Sequence, residues 1–162
     1  MPDSSSLLEK GQIVPAFSLP GADGMPHSPW DYKQREHLLL LFTRSSRSSE
    51  GRGILRAFAH QYSAFREENC AILAVTVDPV IVNLEAQETL KLPFALLANP
   101  TGDVIVKYTH WEPETRTLTP SIALADRYGA LYMQGSAQEE AELPQIAELL
   151  ASLQYLNSIC TP

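Results

Sequence analysis

The sequence predicts an α/β domain in which helices flank a central mixed sheet, and three features of the chain support this fold class. Two apolar strand patterns, HLLLLF (37–42) and AILAVTVD (71–78), are each followed by a segment with helical character. This order favours parallel strands joined by crossover helices. Two further strand patterns, SIALAD (121–126) and ALYMQG (130–135), flank Arg-Tyr-Gly, as in an antiparallel hairpin. A leucine-rich helical pattern then ends the chain.

The first half of the chain begins with a polar arm, residues 1–10, which we expect to lie outside the domain. Glycines and prolines between 13 and 32 favour short extended pieces joined by turns. The run 37–42 is continuously apolar, which is typical of a central strand covered on both faces. From about Ile54 to Glu68 the apolar residues recur at steps of three and four, which predicts a helix with one buried face.

The second half continues with the strand 71–78, a helix at about 80–90 and a short strand stopped by Asn-Pro-Thr-Gly. After the hairpin, a final helix is predicted to begin near Leu143-Pro144, because proline is tolerated in a first helical turn. We therefore predict a single domain over residues 11–159 and a short tail, 160–162. Two β-α units, a hairpin and a terminal helix correspond to a thioredoxin-like topology.

The charge and composition of the chain exclude several function classes. The formal net charge is −7 and the pI is near 5.0, which argues against a nucleic-acid binder and against a polybasic membrane anchor. No apolar run approaches the roughly 20 residues that span a bilayer. We expect a cytoplasmic protein that binds neither nucleic acid nor membrane.

Metal binding is not predicted. The two cysteines are Cys70 and Cys160, too few for a zinc site built from cysteine alone. The histidines lack ligand spacing; they are His27, His37, His60 and His110. No sequence pattern indicates a cofactor.

The polar loop RSSRSSEGRG (44–53) joins the first main strand to the first main helix and is the candidate functional site. A serine nucleophile there would need a neighbouring base, and no G-x-S-x-G elbow surrounds these serines. The glycine spacing also differs from that of a nucleotide P-loop, and the required lysine is absent. Both chemistries are therefore excluded for this loop.

Anion binding is one interpretation of the loop. If Gly51 lies at a helix start, free N–H groups there would attract an anion, with further donors nearby. The candidate ligands in the loop are Arg44, Arg47, Ser48, Ser49, Gly51 and Arg52. Trp111 and Arg116, from THWEPETRTL (109–118), are candidates for a wall of the same pocket. The alternative is a solvated loop in which Ser48 or Ser49 caps the helix, with Trp111 packing on its own domain.

Five segments, in order and spacing, resemble the alkyl hydroperoxide reductase/thiol-specific antioxidant (peroxiredoxin, or redoxin) branch of the thioredoxin superfamily. They are GQIVPAFSLPGADG, the strand-loop-helix of 38–58, ILAVTVDP, LKLPFALLANPTGDVIVKY and PSIALADRYGALY. The resemblance runs from about Gly11 to Leu156. It implies a peroxiredoxin-type version of the thioredoxin-like fold.

The resemblance also identifies positions where catalytic residues are expected and not found. Peroxiredoxins carry P-x-x-x-T-x-x-C in this loop, and their cysteine is kept as a thiolate at a helix N-terminus. A gapless comparison between Phe42 and Phe58 puts the proline on Arg44, the threonine on Ser48 and the cysteine on Gly51. The family's arginine corresponds to Pro120. No C-x-x-C is present, whereas Thr119-Pro120 resembles an X-Pro bond that is commonly cis in thioredoxins.

The resemblance therefore implies a peroxiredoxin-like protein without the usual active-site cysteine. We predict a non-peroxidase binding or interaction module for an unidentified protein or a small anionic ligand. The alternative is a thiol-dependent antioxidant oxidoreductase that uses Cys160, near the end of the last helix. Either function is compatible with a homodimer. Cys70 precedes a strand and is predicted to be a buried apolar residue.

Overall fold

The computed structural model describes residues 8–159, so residues 1–7 of the predicted arm and the predicted tail 160–162 lie outside the described part of the chain. Strands within 8–159 are β1 Leu19–Pro20, β2 Pro26–His27, β3 His37–Phe42, β4 Cys70–Thr76, β5 Ala95–Ala98, β6 Trp111–Glu112, β7 Thr117–Leu118, β8 Ser121–Ala125 and β9 Leu131–Ser136. Helices are α1 Ser49–His60, α2 Tyr62–Glu67, α3 Val80–Leu90 and α4 Ile146–Ile159, with short 3₁₀ turns at Pro29–Asp31, Ile105–Lys107 and Glu140–Glu142.

A five-stranded sheet in the order β5-β4-β3-β8-β9 forms the centre of the fold. The β3 strand is parallel to β4 and antiparallel to β8, and β4 is parallel to β5. The strands β8 and β9 form the predicted antiparallel hairpin. The mixed sheet flanked by helices confirms the predicted fold class.

The core has two layers because alternate residues of β3 point to opposite faces of the sheet. Leu40 and Phe42 lie in one cluster, with Tyr108 stacked on Phe42 at a ring-centroid distance of 5.0 Å. Leu39 and Leu41 lie in the other, which α1 and α4 cover. Both faces are filled, so all six residues of β3 are buried, as its continuous apolar pattern predicts.

Some element boundaries differ from the prediction. The helix predicted from about Ile54 begins at Ser49 and is interrupted at Gln61, which separates α1 from α2. The last helix begins at Ile146, because Leu143 is extended, with φ −67° and ψ 163°. Leu8, assigned to the polar arm, is buried at 4% exposure in the core. The helix predicted at 80–90 is confirmed as α3.

The end of α4 is fixed to the sheet by Asn157. Its amide nitrogen donates to the backbone oxygen of Glu68 at 2.9 Å and to Glu68 Oε1 at 3.0 Å. Its Oδ1 accepts a hydrogen bond of 2.7 Å from Nε2 of His37, a fully buried residue at the start of β3. One side chain thus joins α4, β3 and the turn before β4.

We expect Asn157→Ala to lower the free energy of unfolding by about 2 kcal/mol, because it leaves a buried imidazole N–H without an acceptor. Urea unfolding at pH 7 measures the change. The matched control is Gln154→Ala, an exposed position on the same helix, where the expected change is within about 0.5 kcal/mol. Equal effects of the two substitutions would show that the Asn157 contacts contribute nothing specific.

Candidate functional site

The loop after β3 lies at the edge of the sheet where the parallel strands β3 and β4 both end. Thr43 follows β3, and the loop reaches α1 at Ser49. Because neighbouring parallel strands end side by side, residues after β4 contact the loop. Open α/β sheets generally bind ligands at this edge.

Asp78, two residues beyond β4, holds the first part of the loop. Its carboxylate accepts the backbone N–H of Ser46 at 2.7 Å and the hydroxyl of Ser46 at 3.0 Å. The hydroxyl of Ser45 donates to both carboxylate oxygens, at 3.1 Å each. Within residues 8–159, no histidine is hydrogen-bonded to these two serines. Their hydroxyls orient the loop and are not arranged as a nucleophile with its base.

Glu140, in the segment that connects β9 to α4, holds the second part of the loop. It is 4% exposed. Its Oε1 accepts from Arg44 Nη2 at 2.6 Å, and its Oε2 accepts from Arg44 Nε at 3.2 Å, from the Arg44 backbone N–H at 3.3 Å and from the Thr43 hydroxyl at 3.1 Å. Burial alone would raise the pKa of Glu140, but the hydrogen bonds from Arg44 and from backbone N–H groups lower it below its ordinary value.

Ser48 begins α1 as its N-cap. The Ser48 hydroxyl accepts the Gly51 N–H at 2.9 Å and donates to the backbone oxygen of Ser45 at 3.0 Å. Of the two capping serines that the sequence left open, the structure therefore selects Ser48. Ser49 is the first residue of the helix.

Gly51 lies against the loop so closely that no side chain fits. A Cβ atom built on Gly51 would be 2.0 Å from the backbone oxygen of Ser45 and 2.9 Å from Ser48 Oγ. Gly53, one half-turn later in the same helix, has no atom within 4 Å of the corresponding position. The close approach therefore restricts position 51, where the loop contacts the start of α1, and does not restrict position 53.

The arginines of the loop are not equivalent. Arg44 pairs with Glu140 and also with Glu139, whose Oε1 accepts from Nη2 at 3.3 Å. The hydrogen bonds that Arg44 donates to the Glu140 carboxylate raise the pKa of Arg44 above its ordinary value. The charge of Arg44 is already matched, which weakens its predicted role as an anion ligand. Arg47 is exposed, and Arg52 Nη1 donates to the backbone oxygen of Ser46 at 3.4 Å; their role in anion binding stays a prediction.

Trp111 and Arg116 contact the turn 99–103. The Trp111 ring lies over Gly102, where a Cβ atom would be 2.2 Å from Trp111 Cε2. Arg116 Nη2 donates to the backbone oxygen of Pro100 at 2.7 Å. In the part of the chain that the structure describes, the contacts of Trp111 fit the alternative in which the ring packs on its own domain. A shared pocket with loop 44–53 stays a prediction.

Pro120 is buried, and the Thr119–Pro120 peptide bond is trans, since residues 8–159 contain no cis peptide bond. The cis geometry suggested by the resemblance to thioredoxins is therefore wrong. Thr119 and Pro120 connect β7 to β8. Thr119 N–H donates to His110 O at 3.0 Å, and Pro120 O accepts from Ala137 N–H at 3.1 Å.

Cys70 is fully buried at the start of β4, as predicted. Its Sγ donates to the backbone oxygen of Ala71 at 3.3 Å, and burial raises the pKa of its thiol. Cys160 lies outside the described residues.

Across 8–159 no three acidic, histidine or cysteine side chains cluster in a way that could hold a metal ion. None of the helices in this range has the length and apolar character needed to cross a membrane.

Sequence reasoning missed both carboxylates that organise the loop. Asp78 gave a weak signal, because it directly follows an apolar strand, where polar residues of α/β proteins often reach the functional edge. Glu140 gave none, since it lies 96 residues from Arg44 along the chain.

A five-stranded mixed sheet flanked by helices, with a polar loop capping the first long helix, defines a thioredoxin-like α/β protein. The model of the AhpC/TSA family matches residues 10–133, more than half of the sequence. The chain belongs to the AhpC/TSA family. A search among curated proteins found no significant match.

Solved structures of peroxiredoxins share the fold. Peroxidoxin BcpB from Mycobacterium tuberculosis is 16% identical with a TM-score of 0.80, and the match covers 95% of this chain and 99% of the BcpB chain. The reduced 2-Cys peroxiredoxin of Plasmodium vivax is 17% identical with a TM-score of 0.81, covering 93% and 98%. The yeast mitochondrial 1-Cys peroxiredoxin is 14% identical with a TM-score of 0.78, covering 93% and 77%. At these identities the likeness establishes the fold.

Proposed function

We propose that this AhpC/TSA family member is a binding or interaction module that performs no thiol peroxidase chemistry at the loop after β3. The observation that carries the proposal is the geometry at Gly51. The family motif, aligned without gaps, assigns the reactive cysteine to this position, and here the backbone oxygen of Ser45 occupies the space a Cβ would need. This conformation of the loop leaves no room for a side chain at position 51.

The environment of Cys70 supports the proposal. Peroxide reduction by a cysteine needs an accessible thiolate. Cys70 is fully buried, and burial raises the pKa of its thiol, so the reactive form is disfavoured twice. Within the described residues this leaves no thiol suited to peroxide.

A concave surface beside the loop supports the binding role. The cleft between α1 and residues 139–146, which we call the α1 cleft, has a volume of about 380 Å³. Ligand sites in proteins commonly have this size and combine an apolar lining with a few polar groups. A ligand or partner bound there would lie directly against Glu140 and so against the loop.

We expect the purified protein to consume hydrogen peroxide no faster than its Cys160→Ser variant when dithiothreitol or thioredoxin is the reductant. The physical reason is the lack of an accessible low-pKa thiol among residues 8–159. The measurement is peroxide loss per mole of protein, with Cys70→Ser as a second control.

Two results would contradict this proposal in different ways. Turnover that disappears in Cys160→Ser would establish the alternative function, a thiol-dependent antioxidant oxidoreductase using Cys160. Turnover that disappears only in Cys70→Ser would show that β4 opens enough to expose its buried thiol.

A further inference from the structure

The α1 cleft has an apolar floor. Side chains from α1, from the connection between β9 and α4 and from the first residue of α4 form it: Ile54, Phe58, Leu143, Pro144 and Ile146. Phe58 and Leu143 are buried in the core beneath, so the floor is anchored and not made of loose surface side chains. A ring or a short alkyl chain placed here would lose contact with water on one side.

Small residues keep the cleft open. A Cβ at Gly53 would meet no atom within 4 Å, so the missing side chain leaves room above the floor. Ala57 follows one turn later on the same face of α1, and both residues also border a second hollow of about 620 Å³ between α1 and α4. The two hollows share Ile146, so the apolar surface continues along the helix pair.

The end of the cleft near the start of α1 is acidic. Glu50, Glu139 and Glu140 line it. Arg44 pairs with Glu139 and, mainly, with Glu140, at 2.6 Å. Glu139 is 58% exposed at its side chain and holds Arg44 through one contact of 3.3 Å. The partial charge of about +0.5 at the start of α1 does not cancel this excess of carboxylates.

Among the described residues that line the α1 cleft, none is basic. Arg56 borders the second hollow, which Glu50 does not line. Arg56 lies six positions after Glu50 in the helix, a rise of about 9 Å at 1.5 Å per residue. A small molecule bound in the α1 cleft therefore meets carboxylates at one end, where Arg44 is already paired with Glu140, and apolar side chains at the other.

We infer that the α1 cleft binds a small organic cation, an ammonium or guanidinium group carried on a ring or a short alkyl chain. The cation lies between Glu50 and Glu139, and the apolar body lies over Phe58 and Ile146. This inference deepens the binding role proposed above and rests on it. It concerns the α1 cleft alone, so anion binding by the arginines of loop 44–53 stays a separate prediction.

The test compares three matched probes: 2-phenylethylammonium, the neutral 2-phenylethanol and the anionic phenylacetate. Titrations of the full chain are followed by ¹H–¹⁵N NMR shifts and by calorimetry. We expect the ammonium to bind about tenfold more tightly than either analogue, with a preference that weakens as salt is raised from 20 to 500 mM. Shifts should be confined to α1 and residues 139–146.

Three variants locate the site. Gly53→Leu fills the cleft, and we expect it to weaken ammonium binding at least tenfold. Ser63→Leu adds the same side chain at an exposed position on α2 and should leave binding unchanged. Glu50→Gln combined with Glu139→Gln should abolish the preference for the ammonium over the alcohol, while binding of the alcohol stays the same. Circular dichroism verifies that each variant is folded.

Several results would overturn the inference: no saturable binding of the ammonium up to 10 mM, phenylacetate binding as tightly as the ammonium, or Gly53→Leu binding like wild type. The peroxide assay contains no amine, so it tests the proposed non-peroxidase role independently of cation binding. Failure of cation binding is thus distinguishable from failure of the proposed non-peroxidase role.

Discussion

Replacing Glu140 by alanine is expected to lower the free energy of unfolding by about 2–3 kcal/mol, because its buried carboxylate accepts charge-assisted hydrogen bonds from Arg44, whose side chain is 35% exposed. The substitution leaves the Thr43 hydroxyl without the acceptor it uses, and it leaves the Arg44 guanidinium with Glu139 but without Glu140. Urea unfolding at pH 7 measures the loss. Glu139→Ala is the matched control, since this exposed neighbour also pairs with Arg44 and should cost about 1 kcal/mol or less.

The same pair makes stability depend on pH in a known direction. The pKa of Glu140 is lower in the folded protein than its ordinary value of 4.5. Its contribution is therefore complete above that ordinary value and is lost as pH falls through the folded pKa. Glu140→Gln should show a shallower loss of stability than wild type between pH 5 and 3. Parallel profiles would mean that the Glu140 carboxylate gains nothing from Arg44 on folding.

Gly51→Ala is expected to lower the free energy of unfolding by about 2–3 kcal/mol, because a Cβ would be forced against the Ser45 backbone oxygen. Gly53→Ala is expected to raise it by about 0.5–1 kcal/mol, since alanine favours helix and nothing obstructs it there. Both glycines belong to α1, so the opposite signs isolate the contact with Ser45. Thermal and urea unfolding of the two variants provide the measurement.

A similar stabilisation by both alanines would contradict the close approach at Gly51. It would show that residues 45–48 move aside at little cost and that the loop accepts side chains at the start of α1. Hydrogen exchange of the Gly51 N–H, which Ser48 Oγ accepts at 2.9 Å, would then be fast in wild type as well.

Patterns that depend on neighbours along the chain were predictable. The unbroken apolar run of β3 indicated a strand covered on both faces, and the serine-rich start of α1 indicated a cap. Apolar periodicity marked α1 only from Ile54, after the polar first turn, whereas the alternative with Ser48 or Ser49 as the cap placed the start correctly. The start of α4 was missed because Leu143 packs in the core while extended, a state that its leucine-rich surroundings do not signal.

The position of the candidate loop was predictable from the sequence, but the partners of its charged side chains were not. Its place after β3 followed from the order of strands and helices. From the sequence, Arg44 was interpreted as an available hydrogen-bond donor. Glu140 follows it by 96 residues and lies beside it only in the folded protein. Burial and pairing of this kind depend on tertiary structure, so counting arginines and glycines in the loop could not identify the carboxylates that pair with Arg44.

The tight fit at Gly51 also limits how this protein can change during evolution. A single substitution, Gly51→Cys, would supply a thiol at the position the family motif assigns to it, yet its Cβ would collide with Ser45 O just as alanine would. Residues 44–48 would have to adopt another path before that cysteine could be tolerated. Gain of a reactive thiol here is therefore epistatic: it depends on earlier substitutions in the loop that have no catalytic benefit of their own.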